Sequence, residues 1–161
     1  MITTATFKMD KGDIIFRLLP EAPIHFNRFI NNAKNGYFKN VDFHRVIPGF
    51  IAQSGPQGND FPKSYMWDEI KEPRRKSENN IHYYGTLSGA NTGKPHTDMG
   101  AFFVCLSRRG TKHLDKGHTV FGQVFKGWEF IENIKKGDNI KNVLIDSYSL
   151  TDVETIKEVI I

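Results

Sequence analysis

The 161-residue sequence predicts a mainly β fold, a barrel or sandwich of short strands capped by two helices. Three observations lead there. Short apolar segments follow one another along the chain, broken by turn residues drawn from 14 Gly and 7 Pro. Only two stretches carry a helical repeat. No internal repeat, low-complexity tract or linker divides the chain, so residues 1–161 are read as one domain.

Residues 3–19 alternate around Asp10-Lys11-Gly12. Gly12 can take the positive φ that a short hairpin connection often needs, which gives a strand, a turn and a second strand. The pattern changes over 20–36, where Phe26, Phe29, Ile30 and Ala33 share one helical face and Gly36 supplies the stop. Residues 42–47 and 51–53 read as short strands on either side of Pro48-Gly49. Residues 54–80 hold Gly55, Pro56, Gly58, Pro62 and Pro73 among few apolar residues, and read as a long irregular connection. Strands follow at 85–88, 101–105 and 119–125, the second so apolar that it belongs in the interior. A helix is predicted over 128–136 from the spacing of Ile131 and Ile134, with Gly137 after it. Residues 143–150 and 159–161 close the sheet.

With 39% hydrophobic and 25% charged residues and 13 Phe, the composition is that of a globular protein. A chain of this length buries roughly 70% of the surface of its unfolded form. The balance of 22 Lys and Arg against 18 Asp and Glu is too mild for a dedicated nucleic-acid binder, so no nucleic-acid partner is expected. The one dense basic run, Lys71, Arg74, Arg75 and Lys76, is interrupted by Glu72 and Pro73 and reads as a solvated loop. No apolar run approaches the ~18 residues that span a bilayer. Lys8, Asp10 and Lys11 interrupt the place of a signal peptide, so the chain is expected to be soluble, not exported, and without a membrane partner. The one cysteine, Cys105, has no intramolecular disulfide partner, and within Phe102-Phe103-Val104-Cys105-Leu106 it reads as a small buried hydrophobe.

Several chemistries find little support. Gly89-Ala90-Asn91-Thr92-Gly93-Lys94 imitates a phosphate loop, but its glycines are three residues apart instead of four and Pro95 stands where a Ser or Thr should bind magnesium. The six histidines, His25, His44, His82, His96, His113 and His118, form no His-Glu-x-x-His and there is no Cys pair, so no metal is expected. His96 and Asp98 could contribute only to a site assembled by the fold. Composition leaves a Ser-His-Asp arrangement open, although no Gly-x-Ser-x-Gly elbow is present. The most informative stretch is Phe43-His44-Arg45-Val46-Ile47-Pro48-Gly49-Phe50-Ile51-Ala52-Gln53-Ser54-Gly55. It sets an Arg and a Gln eight residues apart on the predicted strands with Phe50 and Ile51 close by, which would give one wall both an apolar surface and a fixed cationic donor, although taken alone the Arg reads as a surface residue in an ion pair.

This stretch closely resembles the signature of the cyclophilin family of peptidyl-prolyl cis-trans isomerases. Upstream, Gly12-Asp13-Ile14, Ala22-Pro23, Asn27 and Phe29 resemble the family's first hairpin and helix. Downstream, Gly85-Thr86-Leu87-Ser88, Ala90-Asn91, Phe102-Phe103-Val104-Cys105 and the run from Leu114 to Val124 follow its remaining blocks in order. The resemblance implies a closed eight-stranded antiparallel β-barrel capped by two α-helices, with a substrate groove on its outside. It implies an isomerase that accelerates rotation about X-Pro bonds without a cofactor, acting as a monomeric cytoplasmic folding helper on proline-containing peptides and unfolded or folding proteins. By position, Arg45 matches the catalytic Arg and Gln53 the residue that orients it. Phe50, Ile51, Phe103, Leu114 and His118 match the proline pocket, and Ala90, Asn91 and Thr92 the segment running alongside the peptide.

Four departures from the family pattern stand out. Ala101 replaces a groove Gln, Ile51 replaces Met, His113 replaces Trp or Phe, and the run from Pro56 to Pro62 replaces a Gly-rich segment. They lead to an expectation of weak cyclosporin binding and of altered specificity beside the proline pocket. The rival readings are a proline-binding module or holdase with little turnover and, more distantly, a basic nucleic-acid adaptor.

Overall fold

The computed structural model of the chain describes residues 1–55, 69, 80–94 and 99–149. The long connection at 56–79 with its basic run, His96 and Asp98, and the last expected strand at 159–161 therefore lie outside the described residues, except for Glu69.

Nine antiparallel strands form one curled sheet: β1 (Ile2–Met9), β2 (Ile14–Leu18), β3 (Val41–Asp42), β4 (Arg45–Ile47), β5 (Ile51–Ser54), β6 (Thr86–Gly89), β7 (Phe102–Cys105), β8 (Val120–Lys126) and β9 (Asn139–Tyr148). Their order across the sheet is β3-β9-β1-β2-β8-β6-β7-β5-β4. Among the described residues two α-helices accompany them, α1 (Pro23–Lys34) and α2 (Trp128–Ile131). The mainly β, two-helix architecture is as expected, with one strand more than the eight anticipated. The hydrogen-bonded ladder has two ends, β3 and β4, so the ladder does not establish closure. Those ends are consecutive in the chain, joined through Phe43 and His44. The Ser54 hydroxyl on β5 also donates to the Asp42 carbonyl on β3 at 2.9 Å.

The extra strand arises because 42–47, read as one strand, splits. Asp42 pairs with Asn139 on β9, whereas Arg45 pairs with Gln53 on β5. Between them the chain changes partners, and Phe43 turns inward to full burial, its backbone held by Asp138 and Gly137. The second helix is shorter than expected. Beyond Ile131 the chain continues in tighter turns, Asn133 to Phe130 and Ile134 to Ile131, while the Asp138 carboxylate captures the Lys135 N–H.

The core is largely aromatic. β2 alternates in the manner of a half-buried strand, with Ile14, Phe16 and Leu18 inward and Arg17 exposed. Phe7, Phe16, Phe29, Phe38, Phe102 and Phe121 pack in stacked, tilted and edge-to-face pairs with centroids 4.8–5.7 Å apart. α1 supplies Phe29 and Ala33 to this cluster, and its buried face, His25, Phe29, Asn32 and Ala33, is rotated slightly from the predicted stripe. Its N-terminus has Ala22 as cap, which offers no side-chain acceptor. The acceptor comes from 45 residues away: the Glu69 carboxylate receives the Ile24 N–H at 2.9 Å and the His25 N–H at 2.7 Å, and lies 2.7 Å from His25 Nδ1. A buried negative charge there meets both orphan donors and the positive end of the helix dipole.

Two substitutions test these supports. Glu69→Ala strands two helix N–H groups and is expected to cost about 1.5–3 kcal/mol in urea unfolding, the range for hydrogen bonds to a charged group. Gly127, at φ +94°, would carry a Cβ 2.6 Å from the Asp13 carbonyl oxygen. Gly127→Ala should therefore destabilise by about 1–3 kcal/mol, read by the same measurement.

Candidate active site

Register across four strands builds the site. Arg45 lies opposite Gln53, Gln53 opposite Phe103, and Phe103 opposite Ser88. Directly opposed residues share a face, so these four form one row on the outer side of the sheet. Ile47, Ile51 and Cys105 form a second row on the same side. The alternate positions, Val46, Ala52, Val104 and Leu87, point to the core. β7 is buried along its whole length because its outer face is covered too, by residues 80–82 and 111–118. This cover thins toward the sheet edge: Ser88 and Phe103 are buried, Gln53 is half-buried and Arg45 is exposed.

At the open end the Arg45 Nη1 group donates to Gln53 Oε1 at 3.3 Å. The planar guanidinium keeps further N–H groups for a ligand while one is held. Phe103 is the aromatic member of the row and is buried. The His82 ring stacks parallel to it at 5.7 Å, and His118 meets it edge-on at 5.2 Å. His118 Nδ1 lies 2.9 Å from the Gly89 carbonyl oxygen, and since a carbonyl only accepts, that nitrogen carries the proton. Phe50 stacks on the exposed His113 ring at 5.5 Å, and half-buried Leu114 ends the short 3-10 helix Lys112–Leu114.

Against the segment that carries His118 lies a turn. The Asn91 amide donates to the Gly117 carbonyl at 2.7 Å and its oxygen accepts the Gly93 N–H at 2.9 Å, so the side chain is committed to holding loops together. Thr92 is exposed at the tip of this turn. The Ala90 N–H donates to the Ala101 carbonyl at 2.9 Å, bringing those two positions together at the start of β7. Ala101 also lines a small cavity with Arg28, Phe29 and Asn32 of α1. The contacts thus link Arg45, Gln53, Phe103 and His118 in one chain, Phe50 with His113 in a second, and the Asn91 turn to the His118 segment.

Three residues that the sequence did not single out also belong here. His82 Nδ1 lies 2.7 Å from Asp115 Oδ1 and Nε2 lies 2.8 Å from Ser88 Oγ. This is a Ser-His-Asp constellation, the arrangement that composition left open, yet Ser88 is 0% and His82 1% exposed, so no substrate reaches the hydroxyl. Burial pushes the His82 pKa below its ordinary value despite the opposing pull of the Asp115 carboxylate, so the ring is neutral at neutral pH. Nδ1–H then donates to Asp115, and Nε2 faces the Ser88 hydroxyl as an acceptor, in competition for its single proton with the Thr119 carbonyl oxygen 3.1 Å away. Cys105 is buried, and burial raises its thiol pKa, which makes it the inert hydrophobe expected of its apolar run. The spacing 82, 88, 115 is set by the fold, and no local sequence signal points to it.

Comparison with known proteins identifies the family. The family model described as cyclophilin type peptidyl-prolyl cis-trans isomerase/CLD matches residues 2–157. A peptidyl-prolyl cis-trans isomerase of Helicobacter pylori is 35% identical, with 89% of this chain and 86% of that protein covered. One from Rhizopus delemar is 36% identical over 89% of this chain, which spans only 24% of that longer protein. Among solved structures, a cyclophilin type peptidyl-prolyl cis-trans isomerase of Cryptosporidium parvum superposes with a TM-score of 0.74 at 29% identity, covering 92% of this chain and 100% of that one. Fold and relatives converge, and the chain belongs to the cyclophilin family of cofactor-independent peptidyl-prolyl cis-trans isomerases.

Proposed function

We propose that this isomerase acts on proline-containing segments of folding proteins, with Arg45 as the catalytic residue, Gln53 as its positioning partner and Phe103 as the floor of the proline pocket. The observation that carries the reading is the row Arg45, Gln53, Phe103, which sets an oriented cation beside a buried aromatic surface open at one end. Binding alone has no need of an oriented guanidinium. A further structure of the Cryptosporidium parvum relative, obtained in the presence of the dipeptide Ala-Pro, supports a proline peptide as the ligand.

Rotation about a peptide bond meets a barrier of ~18–20 kcal/mol because amide resonance must be broken. No covalent bond is made, so neither nucleophile nor cofactor is called for. In the twisted transition state the proline nitrogen becomes pyramidal and its lone pair more basic. A donor aimed at that nitrogen binds the twisted state better than either planar one, and Arg45 stays protonated throughout. Phe50, Ile51, Phe103, Leu114 and His118 grip the pyrrolidine ring, while the backbone of Ala90, Asn91 and Thr92 anchors the chain before it. A thousandfold acceleration requires only ~4 kcal/mol of differential binding, within reach of one charged hydrogen bond in a water-poor groove together with positioning.

Arg45→Ala should lower kcat/KM at least about tenfold, a loss of ~1.4 kcal/mol in transition-state binding, with thermal unfolding unchanged because Arg45 is exposed. Wild-type turnover in that variant would remove Arg45 from the mechanism. His113 stacks on Phe50 where a larger indole would offer an apolar face and an N–H. Cyclosporin is accordingly expected to bind weakly by calorimetry and more tightly to His113→Trp. Ala101 supplies a methyl where an amide could hydrogen-bond the peptide backbone in ground and transition states alike. Ala101→Gln should lower KM several-fold and leave kcat within about twofold, as steady-state exchange NMR can show.

A further inference from the structure

Three groove residues, His113, Leu114 and His118, lie on the segment 111–118, which contains no β-strand. Side chains from the stretch just before β6 hold it instead. Asn80 Nδ2 donates to the carbonyl oxygens of Asp115 at 2.6 Å and His118 at 2.8 Å, and Asn80 Oδ1 accepts the Val120 N–H at 2.8 Å. The His82 N–H and Nδ1–H both reach Asp115 Oδ1, at 2.9 and 2.7 Å, and the His82 carbonyl accepts the Thr111 N–H at 3.2 Å. Asn80 and His82 are each 1% exposed, so these bonds form away from competing water. The opposite edge of the His82 ring meets Ser88 on β6, and its face lies against Phe103.

We propose that Asn80 and His82, acting through Asp115, form a clasp that positions the groove wall carrying His113, Leu114 and His118 against the Phe103 floor, which makes them positioning residues for the isomerase. The proposal rests on the assignment of this groove as the proline site. His82 touches the floor on one side and the wall's anchor, Asp115, on the other, so one ring sets the spacing between them. With the clasp loosened, the wall samples positions from which His118 no longer meets Phe103, and only a fraction of molecules is competent to bind. Apparent affinity falls by that fraction, whereas the molecules that do bind still present Arg45 to the twisted amide. Loss of the clasp therefore raises KM and spares kcat.

The test is steady-state exchange NMR on an Ala-Pro peptide with His82→Ala, Asp115→Ala and Asp115→Asn, each first shown to be folded by circular dichroism. Both Ala variants are expected to raise KM at least about fivefold with kcat within about twofold. Asp115→Asn, whose amide oxygen still accepts from both His82 donors, should stay within about twofold of the unaltered chain in both constants. Unchanged KM in the folded Ala variants would overturn the clasp. So would a fall in kcat at constant KM, or an Asp115→Asn variant as impaired as Asp115→Ala. If His82→Ala does not fold, Asp115→Ala, at a carboxylate that is 22% exposed, decides the matter with its Asn rescue. An inactive unaltered chain would count against the isomerase assignment instead. The clasp would then be judged by the nuclear Overhauser contact between the His118 and Phe103 rings, expected in the unaltered chain and Asp115→Asn and lost in the two Ala variants.

Discussion

The register that sets Arg45 against Gln53 and Gln53 against Phe103 decides which side chains face the core and which face the groove. A slip of one residue in β4 or β5 would turn Val46 or Ala52 outward and carry Arg45 or Gln53 into an apolar interior, where an unpaired charge is far too costly to keep. The hydrophobic effect therefore enforces the same register that the chemistry needs. Core and site are the two sides of one sheet, and Phe102 and Phe103, adjacent in sequence, serve one each.

That two-sidedness explains why β6 and β7 are buried at every position. The inner face rests on the aromatic core and the outer face lies under the 80–82 and 111–118 segments, so the row is covered where Phe103 sits and open where Arg45 sits. The cover itself is polar, held by the buried Asn80 and His82 side chains, each hydrogen-bonded to more than one partner. Such a layer can be specific in position without being greasy, which suits a surface that must hold a wall in place beside a groove open to peptide.

Much of this was legible in the sequence. The period-two alternation of Ile14, Phe16 and Leu18, the apolar run at 102–105 and the Phe29 to Ala33 face each marked an element and its buried side. Arg45 and Gln53 were legible as a pair only through the family resemblance, since taken alone Arg45 reads as a surface residue in an ion pair, and the register that sets them opposite each other is a feature of the fold. What escaped were features made by distance in the chain. The cap of α1 is Glu69, which no local capping pattern announces. The split of 42–47 depends on which strands flank it, and the early end of α2 on the competing Asp138 carboxylate. The clasp joins residues 80, 82, 88 and 115 across three segments, and each of these taken singly is an ordinary polar residue.

The central claim is that this groove binds the twisted amide better than the planar one. The most direct measurement is exchange NMR of an Ala-Pro peptide at a substoichiometric concentration of the unaltered chain, without added metal or cofactor. The account predicts that cis and trans resonances, which interconvert uncatalysed over tens to hundreds of seconds, exchange at least about a thousandfold faster. Peptide binding seen as shifted resonances, with cis–trans exchange still at the uncatalysed rate, would contradict it.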